Sequence, residues 1–156
     1  MKPEEKLGEL LKERGWTIGV AESCTGGLLS VRITNVPGSS TYFRGAVVAY
    51  HNDLKEGLLK VRAEVIRRSG AVSEEVAREM AQGVRRLLHA DVGVGVTGIA
   101  GPGGGTPEKP VGLVFVAVAS PERVESRSFR FSGDRAENRK RSVEEALEML
   151  LALLAR

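Results

Sequence analysis

Apolar residues recur along this chain with two periods, and the alternation between them predicts the order of helices and strands. Helical spacing predicts helices over residues 3–14, 28–34, 51–60 and 73–89, and a last helix that opens at the SGDR segment, 132–135. Short apolar or alternating runs predict strands over residues 17–21, 43–50, 91–97, 112–119 and 123–131. Because helices and strands interleave before the strands cluster, we predict an α/β fold, a three-layer α/β/α sandwich on a mixed sheet.

Capping and packing residues support these elements. Gly15 follows the first helix at a position where glycine ends helices, and Ser73 stands at the N-cap position of the fourth. The alternating valines and glycines of residues 91–97 indicate a strand against which a neighbouring backbone packs closely. Residues 123–131 alternate as a half-exposed antiparallel or edge strand does.

Composition narrows the class of protein. The chain has 156 residues, of which 42% are hydrophobic and 28% charged, and this is typical of one soluble globular domain spanning residues 1–156. The net charge of +3 comes without a basic run, and aromatic residues make up only 4%, which disfavours nucleic-acid binding. No apolar run is long enough to span a membrane, and the charged N-terminal segment is not typical of a signal peptide.

Cysteine and histidine are too few for a disulfide framework or a common metal motif. Cys24 is the only cysteine, which excludes an internal disulfide and suits a reducing cytoplasm. The chain has two histidines and contains neither a CxxC nor an HExxH pattern. We therefore expect a cytoplasmic protein that needs no metal and no other cofactor.

Four segments carry small polar or charged residues at predicted strand ends and in the loops beyond them, where α/β proteins bind ligands. They are residues 21–27 (AESCTGG), 37–40 (PGSS), 50–55 (YHNDLK) and 97–105 (TGIAGPGGG). The glycine-rich segment matches neither the Rossmann nor the P-loop pattern. Its backbone amides would suit a phosphate, and a mobile surface loop explains the same glycines equally well.

Ser40, Tyr50 and Lys55 are candidates for a catalytic group. A serine hydroxyl needs a neighbouring base, and lysine serves as one when burial or nearby cations lower its pKa toward neutrality. Tyr50 would then relay protons or hold the ammonium in place. From spacing alone, a loop cap, a strand-end aromatic and a solvated helix residue explain these three positions better.

Other residues offer competing interpretations. Cys24 at a helix start is a rival nucleophile if its pKa is lowered, although a lone cysteine is more often a small buried apolar residue. His51 is a rival base, but no carboxylate partner for it is evident. Glu22 is placed to hold a ribose hydroxyl or to orient a lysine. Arg135 or Arg139 is placed to clamp a phosphate, and a solvated basic turn explains both arginines equally well.

Taken together and in this order, the motifs resemble one family. The matching stretches are residues 21–27, 36–40 (VPGSS), 50–55, 70–73 (GAVS), 97–102 (TGIAGP), 109–112 (KPVG) and 133–135 (GDR). They are similar to the C-terminal domain of the competence/damage-inducible protein CinA, which also occurs alone as the nicotinamide-nucleotide amidase PncC. The resemblance extends from about Leu7 to the end of the chain, and its combination of motifs is highly specific.

The resemblance implies metal-free hydrolysis of the carboxamide of nicotinamide mononucleotide to nicotinate mononucleotide and ammonia. It implies that Ser40 is the nucleophile, Lys55 its base and Tyr50 the assisting residue, and we expect the oxyanion donors among the amides of residues 38–41. We expect substrate contacts from the 21–27 turn, the glycine-rich loop and the start of the last helix, namely Glu22, Ser23, Thr25, Gly26, Thr97, Gly98, Gly101, Arg135 and Arg139.

Partners and rival functions complete these expectations. The resemblance implies a homodimer or higher homo-oligomer, and no partner other than the small nucleotide substrate is expected. Longer family members carry an N-terminal domain associated with pyrophosphatase activity; nothing of it precedes Met1, so we do not expect that activity.

A non-catalytic nucleotide-binding module would share the glycine-rich loop without a reactive Ser40. A DNA-associated competence factor would need a clustered basic face, which the sequence does not show.

Overall fold

The computed structural model describes residues 1–155, which form six α-helices and five β-strands. The helices are α1 (Pro3–Arg14), α2 (Leu28–Thr34), α3 (Asn52–Gly57), α4 (Ala63–Ser69), α5 (Glu74–Leu87) and α6 (Arg135–Leu154). The strands are β1 (Ile18–Glu22), β2 (Phe43–Val48), β3 (Val92–Gly98), β4 (Leu113–Ala119) and β5 (Val124–Arg130). Every predicted helix and strand is present, and α4 is an additional helix that the sequence patterns did not predict.

The strands form one mixed sheet in the order β2-β1-β3-β4-β5. β1 pairs in parallel with β2 on one side and β3 on the other, whereas β4 pairs antiparallel with both β3 and β5. The carboxyl ends of β1, β2 and β3 therefore meet at one edge of the sheet. β5 is an outer strand, which confirms its prediction as an edge strand.

Helices cover both faces of this sheet. Successive strand residues point to opposite faces. Accordingly Val20 of β1 packs in a core with residues of α1, α2 and α6, and the next residue, Ala21, packs with residues of α4 and α5. β4 is divided in the same way, since Val116 joins the first core and Ala117 packs with the alanines of α5. The predicted three-layer sandwich is confirmed.

The helix termini follow the predicted capping residues. Gly15 ends α1 with a left-handed φ of 66°. Ser73 Oγ accepts a hydrogen bond from the N–H of Val76 at the start of α5. α4 has no such signal, because its N-cap Arg62 makes no side-chain capping bond and the helix is only seven residues long.

β3 packs against α5 at a separation that only glycine permits. A Cβ atom on Gly95 would lie 2.5 Å from the carbonyl oxygen of Ala77, and one on Gly93 would lie 2.2 Å from that of Ala81. The prediction that a backbone packs closely on this strand is therefore confirmed. The same packing fixes the position of Thr97, two residues beyond Gly95.

We expect Gly95→Ala to destabilise the protein by about 1–3 kcal/mol, because the added methyl group must push α5 away from the sheet. Gly103→Ala is the matched control, since a Cβ at Gly103 has no neighbour within 4 Å. Urea unfolding followed by circular dichroism measures both. Equal midpoints for the two variants would show that the close approach of α5 and β3 is not a constraint.

Candidate active site

A cleft of about 210 Å³ opens at the edge of the sheet where the parallel strands end. The loops after β1, β2 and β3 supply most of its walls, and the connection between α4 and α5 and the start of α6 supply the rest. The lining residues are Ser23, Cys24, Tyr50, Asn52, Lys55, Ala71, Val72, Thr97, Gly98, Ala100 and Arg135. The position of this cleft agrees with the expectation that a ligand site lies beyond the strand ends.

Lys55 lines this cleft from α3, and its burial is the opposite of what the pattern of its segment predicts. Its side chain is only 1% exposed, whereas Leu54 and Leu58 of the same segment are 41% and 44% exposed. An ordinary surface helix would bury the leucines and expose the lysine. Here the fold keeps the Lys55 amine away from water and leaves these two leucines at the surface.

Three oxygen atoms surround the Lys55 amine. Nζ lies 3.1 Å from Ser23 Oγ, 2.9 Å from the carbonyl oxygen of Ala49 and 3.3 Å from that of Tyr50. A protonated amine donates to all three. A neutral amine has two N–H donors and one lone pair, and carbonyl oxygens only accept. The neutral amine therefore donates to Ala49 and Tyr50, and its lone pair accepts the Ser23 hydroxyl proton.

The electrostatics of the cleft shift the amine toward this neutral form. Burial lowers the pKa of Lys55 below its ordinary value. No carboxylate among residues 1–155 makes an ion pair with its amine, so no negative charge offsets the loss of hydration. A buried lysine without a counter-ion, in contact with a serine hydroxyl, meets the physical requirements of a general base.

Ser23 lies in a tight turn between β1 and α2, which we call the serine turn (residues 23–27). Its N–H donates to Val96 of β3, and its carbonyl oxygen accepts from the N–H of Gly26. Gly26 and Gly27 adopt positive φ angles of 59° and 108°, which lets the chain reverse sharply into the helix. A serine on a strand–turn–helix corner is the arrangement by which many hydrolases present a nucleophile.

Glu22 has a structural role, which corrects its prediction as a substrate contact. Its carboxylate is fully buried and accepts hydrogen bonds from the N–H groups of Leu29 and Ser30 and from the Ser30 hydroxyl. It therefore satisfies free donors at the start of α2. The carboxylate is directed into that helix and is not a cleft-lining group.

The structure does not bring Ser40 to Lys55, so the predicted Ser40–Lys55 pair is not formed within this chain. Ser40 lies in a 3₁₀ turn, Ser39–Thr41, that precedes β2, whereas Lys55 lies in α3 after β2. The six residues of β2 separate the two groups by about 20 Å along the strand. The Ser40 side chain is exposed. The predicted oxyanion donors, the amides of residues 38–41, also lie before β2 and therefore at the opposite end of that strand from Lys55.

Tyr50 and Arg135 meet at the mouth of the cleft. Arg135 donates to the Tyr50 hydroxyl at 3.0 Å and to the carbonyl oxygen of Gly101 at 2.8 Å. Tyr50 therefore contacts Lys55 only through its backbone carbonyl, and its phenol faces the arginine. Gly101 joins the site through its carbonyl oxygen, and the guanidinium of Arg135 is exposed where an anion can reach it.

Thr97 and Gly98 lie where the sequence placed them, at the end of β3 and in the cleft wall. The Thr97 hydroxyl donates to the carbonyl oxygen of Ala71 at 2.8 Å and ties two walls of the cleft together. In the glycine-rich loop, Ala100 lines the cleft and residues 103–105 do not. In the serine turn, Thr25 is fully buried, and its hydroxyl has no hydrogen-bond partner within residues 1–155.

Arg139 contacts the serine turn and is not among the groups that line the cleft. Its Nε donates to the carbonyl oxygen of Cys24 at 3.1 Å, and its Nη2 donates to that of Thr25 at 3.0 Å. A Cβ atom on Gly26 would lie 2.9 Å from the same Nη2, so Gly26 leaves space for the guanidinium. Of the two candidate arginines, Arg135 is therefore the one placed at the cleft mouth.

The geometry and burial of Cys24 and His51, the two rival catalytic residues, do not favour a catalytic role. Burial raises the pKa of Cys24 to about 12, so its thiol is protonated at neutral pH and is a poor nucleophile. His51 caps α3, since its Nδ1 accepts a hydrogen bond from the N–H of Asp53 at 3.1 Å. Neither residue offers the nucleophile–base contact that Ser23 and Lys55 make.

Two further features bear on the class of protein. Within residues 1–155, no three His, Cys, Asp or Glu side chains are grouped so that they could hold a metal ion. Over the same residues, no helix is both long enough and apolar enough to cross a lipid bilayer.

The fold and the cleft define a three-layer α/β protein with a buried serine–lysine pair at the carboxyl ends of its parallel strands. Residues 1–154 match the model of one protein family, the CinA C-terminal domain. The chain is 52% identical over 151 residues to a putative competence-damage inducible protein of Halothermothrix orenii, and 52% identical over 149 residues to a CinA-like protein of Thermotoga maritima. These matches cover 96% of this chain but only 37% and 36% of the two relatives, so the chain spans little more than a third of their length.

Solved structures agree with this match. The competence/damage-inducible protein CihA of Agrobacterium tumefaciens has a TM-score of 0.92 at 40% identity, covering 99% of this chain and 96% of that one. The competence damage-inducible protein A of Klebsiella pneumoniae has a TM-score of 0.95 at 33% identity, with the same coverage of 99% and 96%. The chain belongs to the CinA C-terminal domain family.

We expect the Cys24 thiol of the native protein to react very slowly with a thiol-specific disulfide reagent at neutral pH, because its raised pKa leaves almost no thiolate. The same thiol should react rapidly once the protein is unfolded in urea. Spectrophotometric release of the reagent's leaving group measures both rates. Equal rates in the two states would mean that Cys24 is accessible and ionised, and would restore it as a rival to Ser23.

Proposed function

We propose that this chain hydrolyses the carboxamide of nicotinamide mononucleotide, with Ser23 as the nucleophile and Lys55 as its base. The observation that carries the proposal is the 3.1 Å contact between Lys55 Nζ and Ser23 Oγ in a buried cleft. A serine beside a desolvated lysine is an established variant of the acyl-transfer triad. The choice of substrate rests on the resemblance of the chain to nicotinamide-nucleotide amidases of the same family.

The first step is attack of Ser23 Oγ on the carboxamide carbon. The neutral Lys55 amine takes the hydroxyl proton as the new C–O bond forms. The carbonyl oxygens of Ala49 and Tyr50 direct the lone pair of the amine toward Ser23, so the proton moves along an existing hydrogen bond. The resulting ammonium keeps hydrogen-bond acceptors for its N–H groups.

Two backbone N–H groups beside the nucleophile are the proposed oxyanion donors. The N–H groups of Cys24 and Thr25 make no hydrogen bond to another residue within residues 1–155, whereas that of Ser23 is bonded to Val96. Such donors contribute about 3–4 kcal/mol each to transition-state stabilisation in comparable enzymes. The N–H groups of Cys24 and Thr25 replace the amides of residues 38–41, which the sequence analysis proposed as oxyanion donors.

Collapse of the tetrahedral intermediate breaks the C–N bond. Lys55 gives its proton to the departing nitrogen, ammonia leaves, and the nicotinoyl group stays on Ser23 as an ester. Water then attacks this ester with Lys55 again as the base, which releases nicotinate mononucleotide and restores the serine hydroxyl. The Tyr50 phenol has no proton-transfer step in this scheme, because it is hydrogen-bonded to Arg135 and not to Lys55.

The size of the cleft supports an orientation for the substrate. At about 210 Å³ it is smaller than the roughly 300–1,000 Å³ typical of sites that enclose a whole drug-sized ligand. We therefore place the carboxamide ring inside, against Ser23, and the ribose phosphate at the mouth. Arg135 is exposed at that mouth, and its planar fork of N–H donors suits a phosphate.

Ammonia release from nicotinamide mononucleotide separates this proposal from non-catalytic nucleotide binding. A binding module would be stabilised thermally by the nucleotide without releasing ammonia. Free nicotinamide and NAD complete the assay panel and report which parts of the substrate the cleft requires. Salt-dependent binding to DNA without ammonia release would instead support a competence-associated role.

We expect Ser23→Ala to lower kcat by about 10⁴-fold or more, because it removes the attacking oxygen while the other groups remain. Ser40→Ala is the matched control and should keep the wild-type rate, because Ser40 lies beyond the opposite end of β2. An enzyme-coupled ammonia assay with nicotinamide mononucleotide measures both variants.

Lys55→Arg completes the same test. Arginine keeps the positive charge and the N–H donors but does not deprotonate at neutral pH, so activity should be lost. A Ser40→Ala variant that is inactive beside a fully active Ser23→Ala variant would overturn the assignment of the nucleophile. Retained activity in Lys55→Arg would overturn the assignment of the base.

A further inference from the structure

The last helix reaches back to the serine turn through one side chain. Arg139 of α6 donates to two successive carbonyl oxygens, those of Cys24 and Thr25, from two N–H groups of one planar guanidinium. The contact joins segments more than a hundred residues apart in sequence. A planar fork that holds two carbonyls fixes both their positions and the orientation of their peptide planes.

The orientation of a peptide plane determines where its N–H points. In a trans peptide unit the C=O and the following N–H point in opposite directions. The unit whose carbonyl oxygen belongs to Cys24 carries the N–H of Thr25. Because Arg139 holds that carbonyl toward α6, the N–H of Thr25 is directed away from α6. This N–H is one of the two donors that make no hydrogen bond to another residue within the described part of the chain.

Hydrogen bonds also hold the two ends of the serine turn. Glu22 anchors the first residues of α2 through the N–H groups of Leu29 and Ser30. The N–H of Ser23 is bonded to β3. Between these anchors, the carbonyl oxygen of Thr25 accepts from the N–H of Leu28 as well as from Arg139, whereas that of Cys24 accepts from Arg139 alone among the described residues. Gly26 provides the space that the guanidinium occupies.

We propose that Arg139 is a positioning residue that holds the Cys24–Thr25 peptide unit of the serine turn so that the free N–H of Thr25 joins that of Cys24 in the oxyanion site. The inference rests on the proposed function, because it assigns those N–H groups to a reaction at Ser23. Arg139 acts through the backbone and does not touch the substrate. The positive guanidinium also polarises the peptide unit it binds, which strengthens the N–H at its opposite end as a donor.

The test compares Arg139→Gln, Arg139→Ala and a control, Lys140→Gln, which removes a neighbouring exposed cation of α6. We expect kcat for nicotinamide mononucleotide to fall by about 10²-fold in both Arg139 variants, the cost of misplacing catalytic groups by about 1 Å. KM should stay near the wild-type value. Guanidinium ion added to Arg139→Ala should restore part of kcat, and Lys140→Gln should behave as wild type.

Hydrogen–deuterium exchange provides a readout that does not depend on activity. Amides of residues 23–27 should exchange faster in Arg139→Gln than in the wild type or Lys140→Gln, while those of β3 should not change. If wild-type protein releases no ammonia, the proposed function fails, and the exchange rates alone still decide whether Arg139 holds the turn.

Three results would overturn the inference. Unchanged exchange in the serine turn would mean that Arg139 does not hold it. A raised KM with an unchanged kcat would mean that Arg139 binds the substrate phosphate, as the sequence suggested. Lack of rescue by guanidinium in an Arg139→Ala variant that circular dichroism shows to be folded would count against a positioning role.

Discussion

The chemistry proposed for this protein depends on one desolvated amine. Transfer of a lysine side chain from water into a protein interior disfavours its charged form, and the penalty is several kcal/mol when no counter-ion is present. The fold buries the Lys55 amine and surrounds it with two backbone carbonyls and a serine hydroxyl. None of these groups carries a full negative charge that would offset the loss of hydration. A carboxylate in the same place would have kept the amine protonated and unable to act as a base.

The surrounding architecture keeps the contact between Lys55 and Ser23 in place. Parallel pairing of β1 with β2 and β3 brings the serine turn, the Lys55 helix and Thr97 to one edge of the sheet. The glycines of β3 let α5 lie close against the sheet, and Thr97 fastens the loop before α5 to the end of β3. Glu22 accepts hydrogen bonds from backbone N–H groups of α2, and Arg139 donates to backbone carbonyls of the serine turn. Arg135, in contrast, lies at the mouth of the cleft.

Periodicity predicted most of the fold because the core is built from regular apolar stripes. The bounds predicted for α1 and α2 match the structure, and the glycines of β3 correctly indicated close packing. α4 escaped prediction because seven residues without a capping side chain give little periodic signal. The location of the cleft also followed from the sequence, since small polar residues collect where parallel strands end.

The serine that lies beside Lys55 did not follow from the sequence, and the reason is geometric. Ser40 and Lys55 flank the predicted strand at 43–50, and two groups on either side of one extended strand cannot meet. Ser23 and Lys55 follow two adjacent parallel strands, whose ends must meet. The strand–serine–turn–helix pattern of residues 18–28 was the signal that favoured Ser23. The burial of Lys55 carried no local signal, because the neighbouring Leu54 and Leu58 are the residues that a helical pattern would bury, and both are exposed.

The most direct test of this account is an NMR titration of the Lys55 side chain in the wild-type protein. With isotope-labelled lysine, the chemical shift of its terminal methylene group reports protonation of Nζ as the pH is raised. The account predicts that Lys55 titrates below the exposed lysines of the chain, because its amine is buried without a counter-ion. A Lys55 pKa equal to that of the exposed lysines would show that the amine is solvated, and the serine–lysine mechanism would then lose its base.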